Sequence, residues 1–364
     1  MFNRALCMAA GNWAESRGGS ASVLVLNDDG EPDTRYVNGG FASYVGAGHS
    51  KRRFVSHFLR QVLTTKYTWI VFGHVSLSPL ALMMRAFNRA TRIGVIAHGV
   101  EVWHPLSRLQ RKALQRSDFI LAVSEYTKRE VIKHNGVEEK KISIFPNTLD
   151  PYWEKTPGTT NINSEYPVLL SVSRMNKEDR YKGIDDVIRA LPTIVRESGP
   201  VTYRVVGNGD DVPRLQALAA GLGVSRYVDF VGELPDSELR EQYRQCSIFA
   251  MPSRKEGFGI VFLEAMSYGK AVVGGSHGGT PSVVKDGETG LLVENSDVPG
   301  IAQAIVHLLN NEETRLQFGK AGHERLLNKF TFDQFEKNFR TVLESVTSPM
   351  SNVQRPTSNE SPIL

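Results

Sequence analysis

The sequence predicts an α/β protein with two domains, each built around a parallel β-sheet, that face each other across a cleft. Short apolar runs rich in β-branched residues alternate with helical patterns along most of the 364 residues, an order typical of βαβ units and parallel sheets. A stretch rich in Pro, Thr and Asn interrupts this alternation at 151–166, where we expect an interdomain linker. Ligands of such sheets bind at the carboxyl ends of the strands, so two domains in tandem predict a binding cleft.

Residues 1–150 are predicted to form the first domain. Helices are expected between its strands, for example at 51–63 and 106–116. Ser124 is a suitable N-cap for the helix that follows the fourth strand. The predicted strands of this domain are the five apolar runs at 22–27, 68–73, 92–97, 118–123 and 141–146.

Residues 167–330 are predicted to form the second domain, followed by a C-terminal helix over 331–346. The last residues, 347–364, contain few apolar side chains and are predicted to be disordered. Helical patterns near the end of the chain cover 297–309, 312–328 and 332–346. The predicted strands of the second domain are the runs at 167–173, 201–207, 226–232, 247–252, 270–275 and 289–294.

Composition limits the classes of protein to consider. Cys7 and Cys246 are the only cysteines and form no CxxC pattern, so neither a disulfide framework nor a cysteine zinc site is indicated, and a cytoplasmic location fits best. No apolar run approaches the length of a membrane-spanning helix.

The charge is unevenly divided along the chain. Residues 1–150 hold 20 Lys and Arg against 12 Asp and Glu, a balance of +8, whereas the remainder has a balance of −4. The basic half suggests an anionic partner, either a membrane surface or a phosphorylated substrate, although solvated helix faces explain it equally well. No basic motif interleaved with aromatic residues indicates nucleic acid.

The segment "SRKEGFGIVFLEAMSYG" (253–269) contains two glutamates eight positions apart. Glu256 is expected on a loop at the cleft, and Glu264 in a helix that begins near Gly259 and ends at a glycine cap. The backbone amides of Gly259, Ile260 and Val261 are then unpaired donors at a helix N-terminus, which suits a phosphate group. An ordinary strand-to-helix turn with a solvated Glu256 is the alternative.

Three further positions follow predicted strands. Arg174 and Lys182 follow the first strand of the second domain, where a basic pair can hold a diphosphate, although a charged surface loop is equally consistent. Gly207 lies in "VVGNGDD" (205–211), for which a tight turn is the simpler interpretation.

His98 follows a strand of the first domain, where it can face the cleft as a proton carrier or a hydrogen-bond partner. A histidine bonded to nearby backbone is the alternative. Together with Glu101 and His104, it does not resemble a metal site.

In this order, the motifs resemble the retaining glycosyltransferases of the GT-B fold, family 4, also called glycosyl transferases group 1. The resemblance covers residues 2–346 and is strongest over 167–293. It implies the GT-B architecture, two Rossmann-like domains facing across a cleft. The motifs on which the resemblance rests are "SVSR" (171–174), "YKG" (181–183), "VVGNGD" (205–210), "PSRKEGFGIVFLEAMSYGKAVV" (252–273) and "GGTPSVVKDGETGLLV" (278–293).

The resemblance implies a hexosyltransferase that moves a hexose from a nucleotide-diphosphate sugar to a glycan or a lipid-linked acceptor, in cell-surface polysaccharide or glycolipid synthesis. It implies no metal and no other cofactor. The implied catalytic residues are His98, Glu256, Arg174 and Lys182. The implied donor-binding residues are Arg174, Lys182, Gly207, Glu256, Phe258, Gly259, Ile260, Val261 and Glu264.

The resemblance also implies which part of the substrates each side chain meets. Glu264 is placed at the ribose hydroxyls and Glu256 at the hydroxyls of the transferred sugar. Arg174 and Lys182 are placed at the diphosphate. His98 is placed near the transferred sugar and the acceptor. The expected location is cytoplasmic, with peripheral binding to the inner face of the membrane.

The chain departs from the family pattern in two places. Ser282 stands where the family often has glutamate. The chain also begins at the helix that follows the family's first strand and Gly-Gly loop, so we expect the first sheet to lack a central strand and Met1 to be an internal start. A truncated, catalytically impaired nucleotide-sugar-binding protein is therefore an alternative. A Rossmann-type oxidoreductase is disfavoured, because no GxGxxG unit opens the chain.

Overall fold

The computed structural model describes residues 2–28, 32–37, 40–153 and 165–347, and shows an α/β protein with parallel sheets. Within these residues, the first domain shows a helix followed by six strands and four further helices. Its helices are α1 (Phe2–Ser16), α2 (Lys51–Thr64), α3 (Pro79–Phe87), α4 (Arg108–Arg116) and α5 (Glu125–Asn135). Its strands are β1 (Ala21–Val25), β2 (Phe41–Gly46), β3 (Trp69–Phe72), β4 (Arg92–Ala97), β5 (Phe119–Ala122) and β6 (Ile142–Ile144).

The second domain alternates strands and helices as the sequence predicts. Its strands are β7 (Val168–Val172), β8 (Thr202–Val206), β9 (Val228–Gly232), β10 (Ile248–Met251), β11 (Ala271–Gly275) and β12 (Gly290–Val293). Its helices are α6 (Ile184–Ser198), α7 (Val212–Gly221), α8 (Asp236–Gln245), α9 (Ile260–Ser267), α10 (Thr280–Val283), α11 (Val298–Asn310) and α12 (Glu312–Lys329), and α13 (Phe332–Thr347) follows them.

The strand order of the second sheet positions the candidate site. The sheet is parallel throughout, in the order β12-β11-β10-β7-β8-β9. The connections run outward in opposite directions from the neighbouring strands β7 and β10, so a crevice opens at their carboxyl ends, where ligands of open α/β sheets bind. The loop with Arg174 follows β7, and the loop with Glu256 follows β10. Both predicted loops therefore flank this crevice.

The first domain differs from the prediction in one element. Strand β2 was not predicted, whereas α3 is one of the helices expected between the predicted strands. In "FASYVG", the sequence of β2, small and polar residues separate the apolar ones. None of the strand's side chains is fully buried, so the strand does not need a continuous apolar run. Within the described ranges, β1 pairs with β2, and β3 to β6 form a second parallel sheet in chain order, with no ladder between β1 and β3. The internal start at Met1 remains a prediction.

The end of the chain returns to the first domain. The carbonyl of Phe330 accepts hydrogen bonds from the Leu149 amide and the Thr148 hydroxyl, so the two interdomain crossings lie side by side. Beyond them, α13 packs on α1, where the ring of Phe335 lies 4.5 Å from Phe145 and 5.5 Å from Phe2. Most of the predicted linker (154–164) and of the predicted tail (348–364) falls outside the described residues.

Candidate active site

The loop after β7, residues 173–183, contains Arg174 and Lys182 and is called the basic loop. It is held by backbone contacts with the loop after β8. The amide of Met175 donates to the Asn208 carbonyl, and the Asp211 amide donates to the Met175 carbonyl. Gly207 has a φ of +128°, and a Cβ there would lie 2.0 Å from the Ser173 carbonyl oxygen. Only glycine allows this approach. Gly207 is not among the residues that line the cleft, so its contribution in the structure is to the shape of the basic loop.

The two ends of the basic loop differ in exposure. A short 3-10 helix ends at Lys182, whose ammonium lies 2.7 Å from a Glu256 carboxylate oxygen; the two side chains are 18% and 14% exposed. The Arg174 side chain is 75% exposed, with the Asp179 carboxylate 3.5 Å away. Lys182 and Glu256 therefore fix each other's positions, while the Arg174 guanidinium remains accessible to an anion in the cleft.

Helix α9 begins at the cleft. Its N-cap, Gly259, adopts a left-handed conformation, and Gly259, Ile260 and Val261 all line the cleft. The first amides of a helix have no intrahelical acceptor and form a favourable site for an anion. Phe258 is buried and supports the turn through an edge-to-face contact with Phe330. Tyr268 caps the end of the helix, and Gly269 follows with a left-handed φ.

The ring of His98 is held within the first domain by a hydrogen bond to the loop after β3. Nε2 lies 2.7 Å from the Gly73 carbonyl, which can only accept, so Nε2 carries the proton and Nδ1 the lone pair. Burial lowers the pKa of His98 below its ordinary value, despite the Gly73 hydrogen bond and the nearby Glu101 carboxylate. The neutral imidazole can therefore accept a hydrogen bond from an alcohol. The His98 amide itself donates to Glu101 at 2.6 Å.

The walls of the two domains meet at glycine backbone. A Cβ on Gly257 would lie 2.2 Å from the His98 carbonyl oxygen, and one on Gly99 would lie 2.6 Å from the Cα of Gly257. Beside this contact lies a cavity of about 390 Å³. It is lined by His98, Val100, Glu101, Asn147, Val172, Ser173, Arg174, Tyr181, Lys182, Met251, Lys255, Glu256, Gly257, Phe258, Gly259, Ile260 and Val261.

Glu264 is not among these lining residues. It is 5% exposed, and its carboxylate accepts a 2.6 Å hydrogen bond from the Tyr243 hydroxyl. Burial raises the pKa of Glu264 to about 7, an effect that the Tyr243 hydrogen bond opposes. The assignment of Glu264 to a ribose remains a prediction.

The structure brings together His98, Arg174, Lys182 and Glu256 as the sequence led us to expect, and adds residues that had no predicted role. Glu101 was considered only as a metal ligand, and Asn147 was not considered. Asn147 follows β6 closely, so the rule that identified His98 after β4 would have found it. Among the described residues, no group of three or more His, Cys, Asp or Glu side chains is placed to hold a metal ion.

Solved structures with this fold define the class of protein. The HepE protein of Anabaena, solved with UDP and glucose, matches with a TM-score of 0.76 over 94% of this chain and 95% of its own, at 19% identity. Sucrose-phosphate synthase from Thermosynechococcus elongatus matches with a TM-score of 0.74 over 93% and 91%, at 20% identity. Two Rossmann-like domains that meet at a cleft with acidic and basic side chains are the architecture of a GT-B glycosyltransferase.

Sequence comparisons identify the family. The model of Glycosyltransferase Family 4 matches residues 7–152, and the model of Glycosyl transferases group 1 matches 154–325. A GDP-mannose-dependent alpha-(1-6)-phosphatidylinositol monomannoside mannosyltransferase of Mycolicibacterium smegmatis is 32% identical over 272 residues, 70% of each chain. A GDP-mannose-dependent monoacylated alpha-(1-6)-phosphatidylinositol monomannoside mannosyltransferase of Corynebacterium glutamicum is 30% identical over 292 residues, 74% of each chain. The chain belongs to glycosyltransferase family 4 and is an enzyme that transfers sugar from a nucleotide sugar.

Proposed function

We propose that this enzyme is a retaining hexosyltransferase that transfers mannose from GDP-mannose to a glycan or lipid-linked acceptor in the synthesis of cell-surface polysaccharide or glycolipid. The observation that carries the proposal is the convergence of Arg174, Lys182 and the first amides of α9 on one cavity, with Glu256 and His98 beside them. The choice of mannose and of a lipid-linked acceptor rests on the names of the mannosyltransferases that resemble this chain.

The proposed mechanism relies on charge stabilisation. As the glycosidic bond breaks, negative charge develops on the leaving diphosphate and the sugar becomes oxocarbenium-like. Arg174, Lys182 and the helix dipole of α9 stabilise that charge, so these groups can take the role that a metal ion has in other transferases. The acceptor hydroxyl attacks from the face that the diphosphate leaves, and a phosphate oxygen takes its proton. This route forms no covalent enzyme intermediate.

The remaining groups position the sugar. Glu256 is held by Lys182 at the mouth of α9, where its second carboxylate oxygen can accept from a sugar hydroxyl. The lone pair on Nδ1 of His98 can accept from another hydroxyl on the opposite wall. Two acceptors fixed in this way bind a polyhydroxylated ring without a mobile side chain, which lowers the entropic cost of orientation.

We also propose that the enzyme is cytoplasmic and binds the inner face of the membrane peripherally through α3 and α4. These helices pack together and expose Phe87 and Leu109 at 59% and 62%. Such apolar side chains can enter the headgroup region while basic side chains bind anionic lipid. The basic side chains of α4 are Arg108, Arg111, Lys112 and Arg116. In the described part of the chain, no helix is long and apolar enough to cross a bilayer.

The test is a thermal-shift panel of GDP-mannose, UDP-glucose and UDP-N-acetylglucosamine, followed by a turnover assay. A donor at 100 times its Kd should stabilise the fold by roughly 2.7 kcal/mol. GDP-mannose is expected to give the largest shift, and product NMR should show an α-linkage formed from the α-linked donor. No shift with any donor would contradict the proposal. Binding without turnover would favour the truncated, impaired protein instead.

A further inference from the structure

A buried carboxamide in the cleft lacks a hydrogen-bond partner. Asn147 is 8% exposed and lines the cavity together with His98 and Glu101, and its Oδ1 is inaccessible to solvent and has no partner among the described residues. Leaving a buried acceptor without a hydrogen bond lowers the stability of a fold. Such a group in a ligand cavity indicates that a ligand completes its hydrogen bonding.

The backbone around Asn147 is fixed on both sides. The Phe145 amide donates to the Ala122 carbonyl at 2.7 Å, and the hydroxyl of Thr148 donates to the Phe330 carbonyl at 2.9 Å. Phe145 and Thr148 are both almost fully buried. The backbone at Asn147 is therefore held at the point where the chain crosses between the domains, and a half-turn about the last torsion of the side chain exchanges the positions of its amide oxygen and nitrogen.

We propose that Asn147 is a sugar-binding residue that forms a hydrogen bond with a hydroxyl of the transferred hexose. This inference rests on the proposed function. A phosphate oxygen cannot donate to the amide oxygen, whereas a hydroxyl both donates and accepts and so satisfies either orientation of the carboxamide. Asn147 and His98 both follow strands of the first domain, whereas Arg174 follows β7 of the second domain, and all three line the cavity. The sugar, which Glu256 meets from the second domain, is therefore bound between the two domains.

The experiment measures the Kd of GDP-mannose and of GDP for the wild-type protein and Asn147→Ala. Losing one hydrogen bond should weaken GDP-mannose binding about tenfold and leave GDP binding unchanged. The melting temperature without ligand should not fall, because the Oδ1 of Asn147 accepts no hydrogen bond from the described residues. The matched control is Asn295→Ala, since Asn295 also has a buried, unpaired Oδ1 but does not line the cleft. It should leave both Kd values unchanged.

Three results would overturn the inference: unchanged GDP-mannose affinity, equal weakening of GDP and GDP-mannose, or a clear fall in melting temperature in Asn147→Ala alone. If the wild-type protein binds UDP-glucose and UDP instead of the guanosine ligands, the same comparison applies to that pair. In that case the choice of donor is wrong while the assignment of Asn147 is still decided. If the wild-type protein binds neither pair, the proposed function itself fails, and the inference fails with it.

Discussion

Two regions of the molecule are buried to very different degrees. Every residue of β10 and β11 in the second domain is buried, and α9 is buried from Phe262 to Ser267. Every residue of β1 in the first domain is only half-buried, and β2 also includes an exposed position. The region of β1 and β2 thus has less core than that of β10 and β11, although β4 and β5 elsewhere in the first domain are almost fully buried. The elements beside the candidate site are therefore among the best packed in the molecule.

Core truncation should show this difference most strongly. Phe249 in β10 is fully buried between Tyr243 and Phe262, so Phe249→Ala should cost about 3–5 kcal/mol. Val23→Ala in the half-buried β1 should cost about 1 kcal/mol or less. Urea unfolding followed by tryptophan fluorescence measures both. Equal losses of unfolding free energy in the two variants would show that the two regions do not differ in how much their packing stabilises the fold.

The proposed charge-stabilising role of the basic loop can be tested separately from its structural role. Lys182→Ala should lower kcat roughly 10²–10³-fold, because it removes a preorganised positive charge from the leaving group. The control is Lys177→Ala, which removes a side chain that is 64% exposed on the same loop. Circular dichroism should show both variants folded. Near-normal turnover of Lys182→Ala would exclude it from diphosphate binding.

The buried Glu264 should make the stability of the second domain depend on pH. Its pKa is raised from 4.5 to about 7, so it stays protonated in the fold while the unfolded chain ionises above about pH 4.5. The contribution of Glu264 to stability is therefore largest below that pH and falls by roughly 3 kcal/mol as pH rises to about 7. Glu264→Gln should lack this fall. Urea midpoints at pH 5 and pH 8 test it, and an identical pH dependence in both proteins would refute it.

The smallest expected effect concerns the membrane. Binding to vesicles of phosphatidylglycerol and phosphatidylcholine should weaken with salt, and Arg111→Glu in α4 should weaken it by about 1 kcal/mol or more. Arg196→Glu in α6 of the second domain reverses a charge that is also exposed and should change little. Co-sedimentation at low and high salt measures both. Equal binding to neutral and anionic vesicles would count against the proposed surface.

The sequence predicted most of the second domain because its strands are mostly apolar and its site residues lie in the loops that follow them. It did not predict β2, whose side chains are only partly buried and therefore need not be apolar. The pairing of Lys182 with Glu256 and that of Tyr243 with Glu264 also could not be predicted, since each depends on how separate loops or helices meet. Asn147 was missed although its position after β6 follows the same rule as His98.

The contact of Gly99 with Gly257 has a consequence for how the cleft opens and closes. Because neither Gly99 nor Gly257 has a side chain, closing the cleft orders no long side chain at these two positions and loses no rotamer freedom there. We expect release of the nucleotide to require that the domains move apart at this contact. A methyl group at Gly257 would act as a wedge and hold the domains apart, while the charged residues remained unchanged. Turnover would then be limited by closure rather than by chemistry.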